Sequence, residues 1–416
     1  MRWSHLTSSF LLCQGLTAAQ QVGSYQNETH PKLQWSSCTV DGGCQTVNGE
    51  IAMDANFRWL HKVDNYMNCF SGNTWEENQC STVENCTNTC ALDGADYARV
   101  YGVKVTNSSV SQRFKTNFDF AYNVGSRLFL LESKHKYQMF TLKNNELAFD
   151  VDLSTVECGI NGALYFVPMD ADGGQTRYAT NKAGAEYGTG YCDASCPRDL
   201  KFVGGKANME AWIPSETDPF SGKGLYGACC PQFSVWNSNA HSFEMSSHVC
   251  PPDRAGPTVC GYEECDNYGP YGGQNHWRGQ CDRWGCSYNP YRMGNTAFYG
   301  KGKTVDTGRK FTVVTQWSET KVTQFFIQDG QKIELPAPVV EGLPKEAGLS
   351  ADMCSKQRAV FGELDTMAQN GGWETHNRQL LSQPMVLVMS IGADVHGGLV
   401  EHQIWAHWIY GSGLKM

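Results

Sequence analysis

The residues whose types and spacing could support catalysis follow two adjacent cysteines, Cys229 and Cys230. Such a pair can join one strand to two different neighbours and so hold the following backbone rigidly. Beyond it, the alternation of residues predicts a strand that presents Gln232, Ser234 and Trp236 on one face. That face offers an amide and a hydroxyl, which form hydrogen bonds but supply no carboxylic acid.

Sequence signals for metal, serine-nucleophile or phosphate chemistry are absent. His241 and His248 are seven apart, which is not the spacing of a zinc pair on a helix. The sequence has no Gly-x-Ser-x-Gly elbow. The glycine-rich stretch 268–273 has no Lys-Ser/Thr partner, so we interpret it as a loop. We therefore expect neither a metal ion nor a cofactor.

The charge of the chain argues against nucleic acid as a partner. Its 416 residues include 33 Lys and Arg against 42 Asp and Glu, a formal net charge of −9, and no basic stripe is visible. This balance suits a soluble protein that meets neutral polymers. Beyond the N-terminus, no stretch reaches the ~20 apolar residues that a membrane span requires.

The first nineteen residues have the pattern of a secretory signal peptide. A positive start at Met1-Arg2 is followed by the apolar stretch 10–16 and by the small residues 17–19. The alternative is a buried N-terminal helix. Eighteen cysteines also favour an oxidising, extracellular compartment. Three glycosylation sequons begin at Asn27, Asn85 and Asn107; Asn85 is the least expected to be used, because Cys86 follows it.

Short β-like segments dominate the remainder, and they predict one all-β domain over residues 20–416. Gly-, Asn-, Asp- and Ser-rich stretches separate these segments, which is typical of a β-sandwich with long loops. No linker and no separate carbohydrate-binding module are apparent. The clearest predicted strands are 127–131, 146–152, 163–167, 311–315 and 385–389.

Several segments, in order along the chain, resemble glycoside hydrolase family seven, the fungal cellobiohydrolases and endoglucanases. They span from Gln20 to about Ser390, and the closer resemblance is to the cellobiohydrolase branch. The resemblance implies a concanavalin-like jelly roll of two curved antiparallel sheets, whose disulfide-pinned loops form a glucan cleft or tunnel. The segments are 28–31, 54–59, 161–167, 169–174, 187–193, 196–202 and 289–300.

The resemblance also implies that the catalytic carboxylates are missing. In the family, the Cys-Cys pair is followed by Glu-x-Asp-x-x-Glu. Here Gln232 stands at the nucleophile position, Ser234 at the assisting acid and Asn237 at the acid/base. Retaining glycosidases need two carboxyl groups about 5–5.5 Å apart, whereas positions five apart on a straight strand are separated by roughly 16 Å. The family motif therefore requires a bend or bulge.

Much of the family's binding apparatus is retained. Trp59 matches an aromatic platform at one end of the cleft, where a sugar ring stacks on the indole. Departures occur at Ser195, His276, Trp284 and Ser287, which put the product side in doubt. For each residue alone, a role in the core or in an ion pair is the alternative. The residues that match cleft-lining positions are Trp59, Arg127, Asn161, Tyr165, Tyr191, Asp193, Lys201, His248 and Arg292.

The family's disulfide pairing can be transferred to sixteen of the cysteines. Cys158 lacks a disulfide partner, because the partner in the family lies near the C-terminus and no cysteine follows Cys354 here. We expect Cys158 to be unpaired. A metal cluster of the four cysteines at positions 192, 196, 229 and 230 is the alternative to two of the bridges. The implied bridges are Cys38–Cys44, Cys69–Cys90, Cys80–Cys86, Cys192–Cys230, Cys196–Cys229, Cys250–Cys281, Cys260–Cys265 and Cys286–Cys354.

The resemblance ends abruptly after Ser390, and family chains continue further to supply a final strand. The residues from 391 to 416 indicate either a truncated chain or a mispredicted splice site. Loss of a terminal strand would expose a hydrophobic sheet edge.

These observations predict a secreted, monomeric protein that binds β-1,4-glucan, such as cellulose, and does not hydrolyse it. Two alternatives remain. The chain could be an active retaining β-1,4-glucanase in which Asp193 or Glu244 takes over, or it could be the product of a decaying gene.

Overall fold

The computed structural model describes residues 20–119, 121–265 and 280–393, together with the backbone of 405–409. The predicted signal peptide, Cys13 and His276 lie outside these residues.

The larger sheet, sheet A, is antiparallel throughout its main path. It contains ten strands, and two of them are short pieces that pair with Ser126–Ser133 and Met385–Ala393 respectively. These two pieces are Lys136–Tyr137 and Met139–Phe140. The order of the other strands is Lys32–Thr39, Gly43–Met53, Ser126–Ser133, Met385–Ala393, Ile160–Val167, Gln232–Ser238, Phe243–His248 and Cys286–Tyr288.

The smaller sheet, sheet B, contains seven antiparallel strands. Its order is Gln331–Glu334, Val322–Gln328, Phe311–Trp317, Glu146–Asp152, Trp405–Ile409, Ser109–Arg113 and Val103–Thr106.

The main hydrophobic core lies between the two sheets. Trp236 of sheet A is fully buried and packs edge-on against Phe149 and Phe311 of sheet B, at ring-centroid distances of 6.4 and 6.1 Å. Phe166 of sheet A meets Trp317 of sheet B in the same way, at 6.2 Å. Burial of such large rings is the main source of stability for a two-layer fold. The predicted jelly-roll sandwich is confirmed.

Short strands and helices occupy the connections. The helices are Val83–Thr89, Tyr262–Cys265, Ala351–Phe361, Thr366–Gln369 and Gly372–His376, with 3₁₀ turns at Ala55–Phe57 and Ala185–Tyr187 and a π turn at Asn377–Leu381. The remaining strands are Gln21–Val22, Leu60–Lys62, Phe70–Ser71, Thr74–Trp75, Cys90–Leu92, Lys115–Phe118, Ala121–Val124, Phe202–Val203, Lys206–Ala207, Ile213–Pro214, Gly222–Lys223, Tyr226–Cys229, Thr258–Gly261, Tyr299–Gly300 and Val305–Asp306. None of the helices in the described part of the chain is long and apolar enough to cross a membrane.

All five predicted strands are present, but the predicted face of Trp236 is wrong. Leu164 pairs with Trp236, whereas its neighbour Tyr165 pairs with Ser234, so the strand Gln232–Ser238 contains one extra residue at this point. Such a bulge reverses the alternation of side chains beyond it. Trp236 therefore points into the core between the sheets.

Eight disulfides join the same cysteine pairs that the resemblance implied. Cys158 is exposed and is the one free cysteine within the described ranges. Two groups of three cysteine sulfurs lie close enough together to suggest a metal site, Cys69–Cys80–Cys90 and Cys196–Cys229–Cys281. All six are consumed by disulfides, so they cannot act as thiolate ligands.

A strand is present beyond the point where the resemblance to the family ends. The strand that begins at Met385 continues past Ser390 to Ala393. The backbone of Trp405–Ile409 then pairs with Glu146–Asp152 on one side and with Ser109–Arg113 on the other. It therefore lies inside sheet B and covers the edge that would otherwise be exposed.

Candidate active site

A β-bulge shapes the strand at the centre of the candidate site. Pairing with the next strand of sheet A shifts between Ser234 and Asn237, where Ser234 lies opposite Ser246 and Asn237 lies opposite Glu244. Because the bulge adds one residue, Asn237 returns to the same face as Ser234. The sequence argument that this strand needs a bulge is thus consistent with the structure.

Residues directly opposite each other in antiparallel strands project to the same face. Three such pairs form a row across the two strands, on the side of sheet A that faces away from sheet B. This row is Gln232–His248, Ser234–Ser246 and Asn237–Glu244.

Both polar atoms of the Gln232 side-chain amide are engaged. Its Nε2 donates to Ser234 Oγ at 2.8 Å, and its Oε1 lies 3.4 Å from the backbone N–H of Ala194. Ser234 is fully buried and Gln232 half-buried. The centre of the row is therefore a neutral amide–hydroxyl pair.

His248 connects this row to a neighbouring loop. Its Nδ1 lies 3.0 Å from the carbonyl oxygen of Asp282, and its Nε2 lies 2.8 Å from Ser246 Oγ. A carbonyl only accepts, so Nδ1 carries a proton and donates to Asp282, while Nε2 shares a hydrogen bond with the Ser246 hydroxyl. This chain of hydrogen bonds holds the imidazole beside Gln232.

Two tyrosines on the same face lead to a carboxylate. The hydroxyls of Tyr165 and Tyr191 lie 2.7 Å apart, and Tyr191 donates to Asp193 Oδ2 at 2.6 Å. Burial raises the pKa of Tyr165 to about 12 and the pKa of Tyr191 well above its usual value. Both phenols therefore keep their protons near neutral pH, and Asp193 Oδ1 is occupied by the N–H and hydroxyl of Ser195.

Arg127 is held between a ring and a carboxylate. Its guanidinium carbon lies 3.3 Å from the centre of the Tyr191 ring, and its Nε donates to Asp54 Oδ2 at 2.6 Å. The side chain of Asp54 is only 2% exposed. A planar guanidinium stacked on a phenol ring and bound to one carboxylate is a rigid arrangement.

Lys201 lies further along the same surface. Its Nζ donates to the carbonyl oxygen of Asn56 at 2.7 Å, and its backbone N–H donates to Asn56 Oδ1. Burial lowers the pKa of this ammonium to about 8, although the charges of Asp54 and Asp199 act in the opposite direction. Lys201, Asn56, Asp54 and Tyr191 line one pocket together with apolar residues such as Leu200, Phe202 and Val203, so the pocket combines a few polar groups with an apolar lining.

The arrangement can bind polyhydroxylated molecules, but its central strand carries no acid. Two carboxylates remain nearby. Glu244 lies opposite Asn237, and Asp193 is followed by Ala194, whose N–H faces Gln232. Among the described residues, the carboxylate of Glu244 makes no hydrogen bond or ion pair, whereas the carboxylate of Asp193 accepts several hydrogen bonds.

Comparison with known proteins identifies the family. The family model described as glycosyl hydrolase family 7 matches residues 22–405. The chain belongs to glycosyl hydrolase family 7. The match extends beyond Ser390, where the sequence comparison had placed the end of the resemblance.

Three solved structures show how similar this family-7 chain is to its relatives. A cellobiohydrolase from Melanocarpus albomyces, complexed with cellotetraose, is 51% identical with a TM-score of 0.85, over 91% of this chain and 86% of that one. The family 7 cellobiohydrolase from Daphnia pulex is 39% identical with a TM-score of 0.86, over 90% and 86%. The endocellulase EGI from Humicola insolens is 27% identical with a TM-score of 0.77, over 95% and 98%.

The predicted binding residues of this family-7 chain are only partly brought together. Arg127, Tyr165, Tyr191 and Asp193 form one connected group, which lies on the same face of sheet A as His248. Tyr165 and Tyr191 are also 6% exposed and pack in a hydrophobic cluster, so they contribute to the core as well.

The other predicted binding residues make contacts that also serve the fold. Asn161 Oδ1 accepts from the backbone N–H of Ser238 at 2.9 Å, which ties two strands together. Arg292 forms an ion pair with Glu363 and stacks on Phe361. The ion-pair alternative therefore describes Arg292 in this structure, and its role in binding remains a prediction.

Two residues that position the site were not singled out from the sequence. Asp54 holds Arg127, and Asn56 holds Lys201. Both lie in the segment 54–59 that carried part of the resemblance, immediately before Trp59. The sequence signal that could have indicated them is the pair Asp54 and Asn56, two hydrogen-bonding side chains just ahead of the predicted platform residue Trp59.

Proposed function

We propose that this family-7 chain binds β-1,4-glucan along the outer face of sheet A and does not hydrolyse it. The observation that carries the proposal is that Gln232, Ser234 and Asn237, which the bulge brings onto one face of their strand, include no carboxylate. A glucan fits the polar groups around this row, and the Melanocarpus albomyces relative was solved with cellotetraose.

The chemistry of the row explains the loss of hydrolysis. A retaining glycosidase needs one carboxylate as nucleophile and a second carboxyl group as acid and then base. The amide oxygen of Gln232 is a poor nucleophile and cannot form the ester intermediate. Asn237 has no proton to donate near neutral pH. Deamidation of Asn237 would leave a side chain one methylene short, and a displacement of ~1 Å can cost about a hundredfold in rate.

The retained groups support binding. Arg127, Lys201 and Asp193 are each held by hydrogen bonds or ion pairs to other parts of the fold. Side chains that are already ordered lose little entropy when a ligand arrives. A surface of such ordered polar side chains suits a binder.

The disulfides and the glycosylation sequons bear on where the protein acts. Eight disulfides fit an oxidising compartment, and we infer that the mature chain is a secreted, monomeric, single-domain protein without a cofactor. Asn27 and Asn107 are exposed and are the proposed glycosylation sites. Asn85 lies within the helix Val83–Thr89, beside the disulfide-bonded Cys86, and is the weaker candidate.

A second candidate function is slow hydrolysis by displaced carboxylates. It is favoured by one observation, that Glu244 lies opposite Asn237 while the residue after Asp193 contacts Gln232. In that case Asp193→Asn and Glu244→Gln would each abolish sugar release.

Binding and hydrolysis can be measured on the same preparation. Isothermal titration with cello-oligosaccharides is expected to show saturable binding, and sugar-release assays are expected to show none. Arg127→Met should weaken binding, whereas Arg99→Met, at an exposed ion pair with Asp96 and Asp119, is the matched control. Absence of binding by folded protein would refute the proposal, and sugar release that disappears in Glu244→Gln would establish the second candidate instead.

A further inference from the structure

Four aromatic rings form a compact group next to the predicted platform residue Trp59. Trp59 lies over His61 with ring centroids 4.1 Å apart, and Tyr66 lies over Tyr25 at 3.9 Å. Trp59 and Tyr66 are 6.1 Å apart, and their planes differ by 21°. His61 and Tyr25 are 5.3 Å apart.

These distances describe two layers. The two separations near 4 Å are stacking distances, with ring planes 31° and 24° apart. Trp59 and Tyr66 are further apart at 6.1 Å, and His61 and Tyr25, at 5.3 Å, are tilted by 51° to each other. The diagonal from Trp59 to Tyr25 is 6.2 Å, as expected for an offset pair of layers. His61 and Tyr25 form the lower layer, and Trp59 and Tyr66 form the upper one.

The lower layer is firmly anchored. His61 is fully buried, its Nε2 lies 3.0 Å from Asp93 Oδ2, and its Nδ1 lies 2.8 Å from the carbonyl oxygen of Lys62. Trp59 is fixed as well, because its Nε1 donates to Asn68 Oδ1 at 2.7 Å. The disulfide Cys69–Cys90 then ties the end of the segment that carries these residues to the strand Cys90–Leu92, which pairs with Leu60–Lys62.

The upper layer is open to solvent at one end. Tyr66 is 70% exposed although it is a large aromatic residue stacked on another ring. An exposed aromatic ring that is held rigid offers a flat apolar face to a ligand. Tyr25 is 37% exposed and supports Tyr66 from below.

We propose that Tyr66 extends the platform predicted at Trp59 into an aromatic shelf, on which a second, neighbouring sugar ring of a glucan chain stacks. The segment 54–59 carries Trp59 and also the residues that hold Arg127 and Lys201, so the shelf is joined to the proposed glucan-binding surface through this segment. The apolar face of a pyranose packs against an aromatic face, while its edge hydroxyls remain in water. This assignment rests on the proposed glucan binding.

A sugar could reach the shelf from two sources. One is an external β-1,4-glucan, which we favour because the shelf continues the proposed binding surface. The other is an N-linked glycan on Asn27, which is exposed and lies two residues after Tyr25. Both would use the same stacking chemistry.

The test is a titration of the full mature protein with cello-oligosaccharides of increasing length. Tyr66→Ala is expected to weaken binding of the longest oligosaccharide about three- to tenfold and to leave cellobiose binding unchanged. Tyr66→Phe should bind as the parent does, because the ring face and not the hydroxyl makes the contact. Tyr291→Ala is the matched control, since Tyr291 is 62% exposed and its ring has Lys303 for a neighbour.

The outcomes separate this inference from the proposed function. If longer oligosaccharides bind the parent protein more tightly and bind Tyr66→Ala equally tightly, the proposed shelf is refuted. The proposed binding of glucan is then still supported. If the parent binds no oligosaccharide, both proposals fail. In Asn27→Gln, tighter binding that depends on Tyr66 would identify the glycan as a competitor for the shelf and would support its stacking role.

Discussion

Glu244 lies directly across from Asn237 on the neighbouring antiparallel strand of sheet A. Asn237 stands at the position of the family's acid/base by sequence resemblance, so a carboxylate survives one strand away from where a proton donor is needed. Glu244 does not replace that donor in our account, because its side chain starts from a different strand. It is nevertheless close enough to influence the pKa of any acid introduced at position 237.

This relationship predicts a pH effect in a restored enzyme. In the triple variant Gln232→Glu, Ser234→Asp, Asn237→Glu, the negative charge of Glu244 should raise the pKa of the new acid at position 237. That acid must be protonated to act, so activity falls as pH rises through its pKa. Adding Glu244→Gln should lower the pKa of this acid, and so shift the high-pH side of the pH–activity profile to lower pH by about half a pH unit to one pH unit. An unchanged profile would show that Glu244 does not sense position 237.

The buried ion pair of Glu28 and Arg58 predicts sensitivity to acid. Burial alone would raise the pKa of Glu28, but the charge of Arg58 and hydrogen bonds from Arg58 and Tyr97 lower it below its usual value. A lowered carboxyl pKa adds stability above the unfolded value, and this stability disappears as pH falls through the folded value.

Glu28→Gln should therefore lower the free energy of unfolding at neutral pH by about 3 kcal/mol, because it leaves the Arg58 guanidinium buried without its counter-charge. The loss should shrink below about pH 4. Urea unfolding across this range measures both effects. A loss that is independent of pH would contradict the electrostatic explanation.

His376 predicts a separate acid-sensitive window at higher pH. The ring is fully buried, its Nδ1 lies 2.7 Å from Ser247 Oγ, and burial lowers its pKa from 6.5 to about 3. Below pH 6.5, His376 therefore binds a proton in the unfolded chain but not in the folded one, so stability falls as the pH drops.

The expected loss is about 3 kcal/mol between about pH 6.5 and pH 4. His376→Gln should flatten this part of the stability profile, whereas His241→Gln, at a half-exposed ion pair with Glu157, should not. If both variants keep the parent slope, His376 does not titrate as described.

Cys158 predicts a single accessible thiol. It is exposed and free, whereas the other sixteen cysteines of the described ranges are in disulfides. The native mature protein should react with one equivalent of a thiol reagent, and Cys158→Ser should react with none and keep its melting temperature. Replacing both Cys286 and Cys354, which are 68 residues apart, should by contrast cost about 4 kcal/mol. A second reactive thiol in native protein would contradict the pairing.

The fold was largely predictable from the sequence. The five strongest strand segments and the sandwich architecture were predicted correctly, because runs of β-branched and aromatic residues between glycine-rich loops are a local signal. The strand Trp405–Ile409 was missed, because it is recognised by its place between two distant strands rather than by its own sequence.

The candidate site was less predictable, for a physical reason. Alternation along a strand assumes a regular pleat, and the bulge before Trp236 breaks it. A bulge depends on how two neighbouring strands pair, which a single segment does not reveal. The shelf around Tyr66 was invisible for a similar reason, since it requires Tyr25 and His61 to come together from separate parts of the chain.

The central claim is that the outer face of sheet A binds glucan and that only the missing carboxylates prevent hydrolysis. The most direct measurement is sugar release from a soluble β-1,4-glucan by the natural mature chain and by the triple variant Gln232→Glu, Ser234→Asp, Asn237→Glu. We predict that the natural chain releases no sugar and that the variant hydrolyses the glucan with retention at the anomeric carbon. Sugar release by the natural chain would contradict the account. Silence from a triple variant that is folded and still binds glucan would also contradict it.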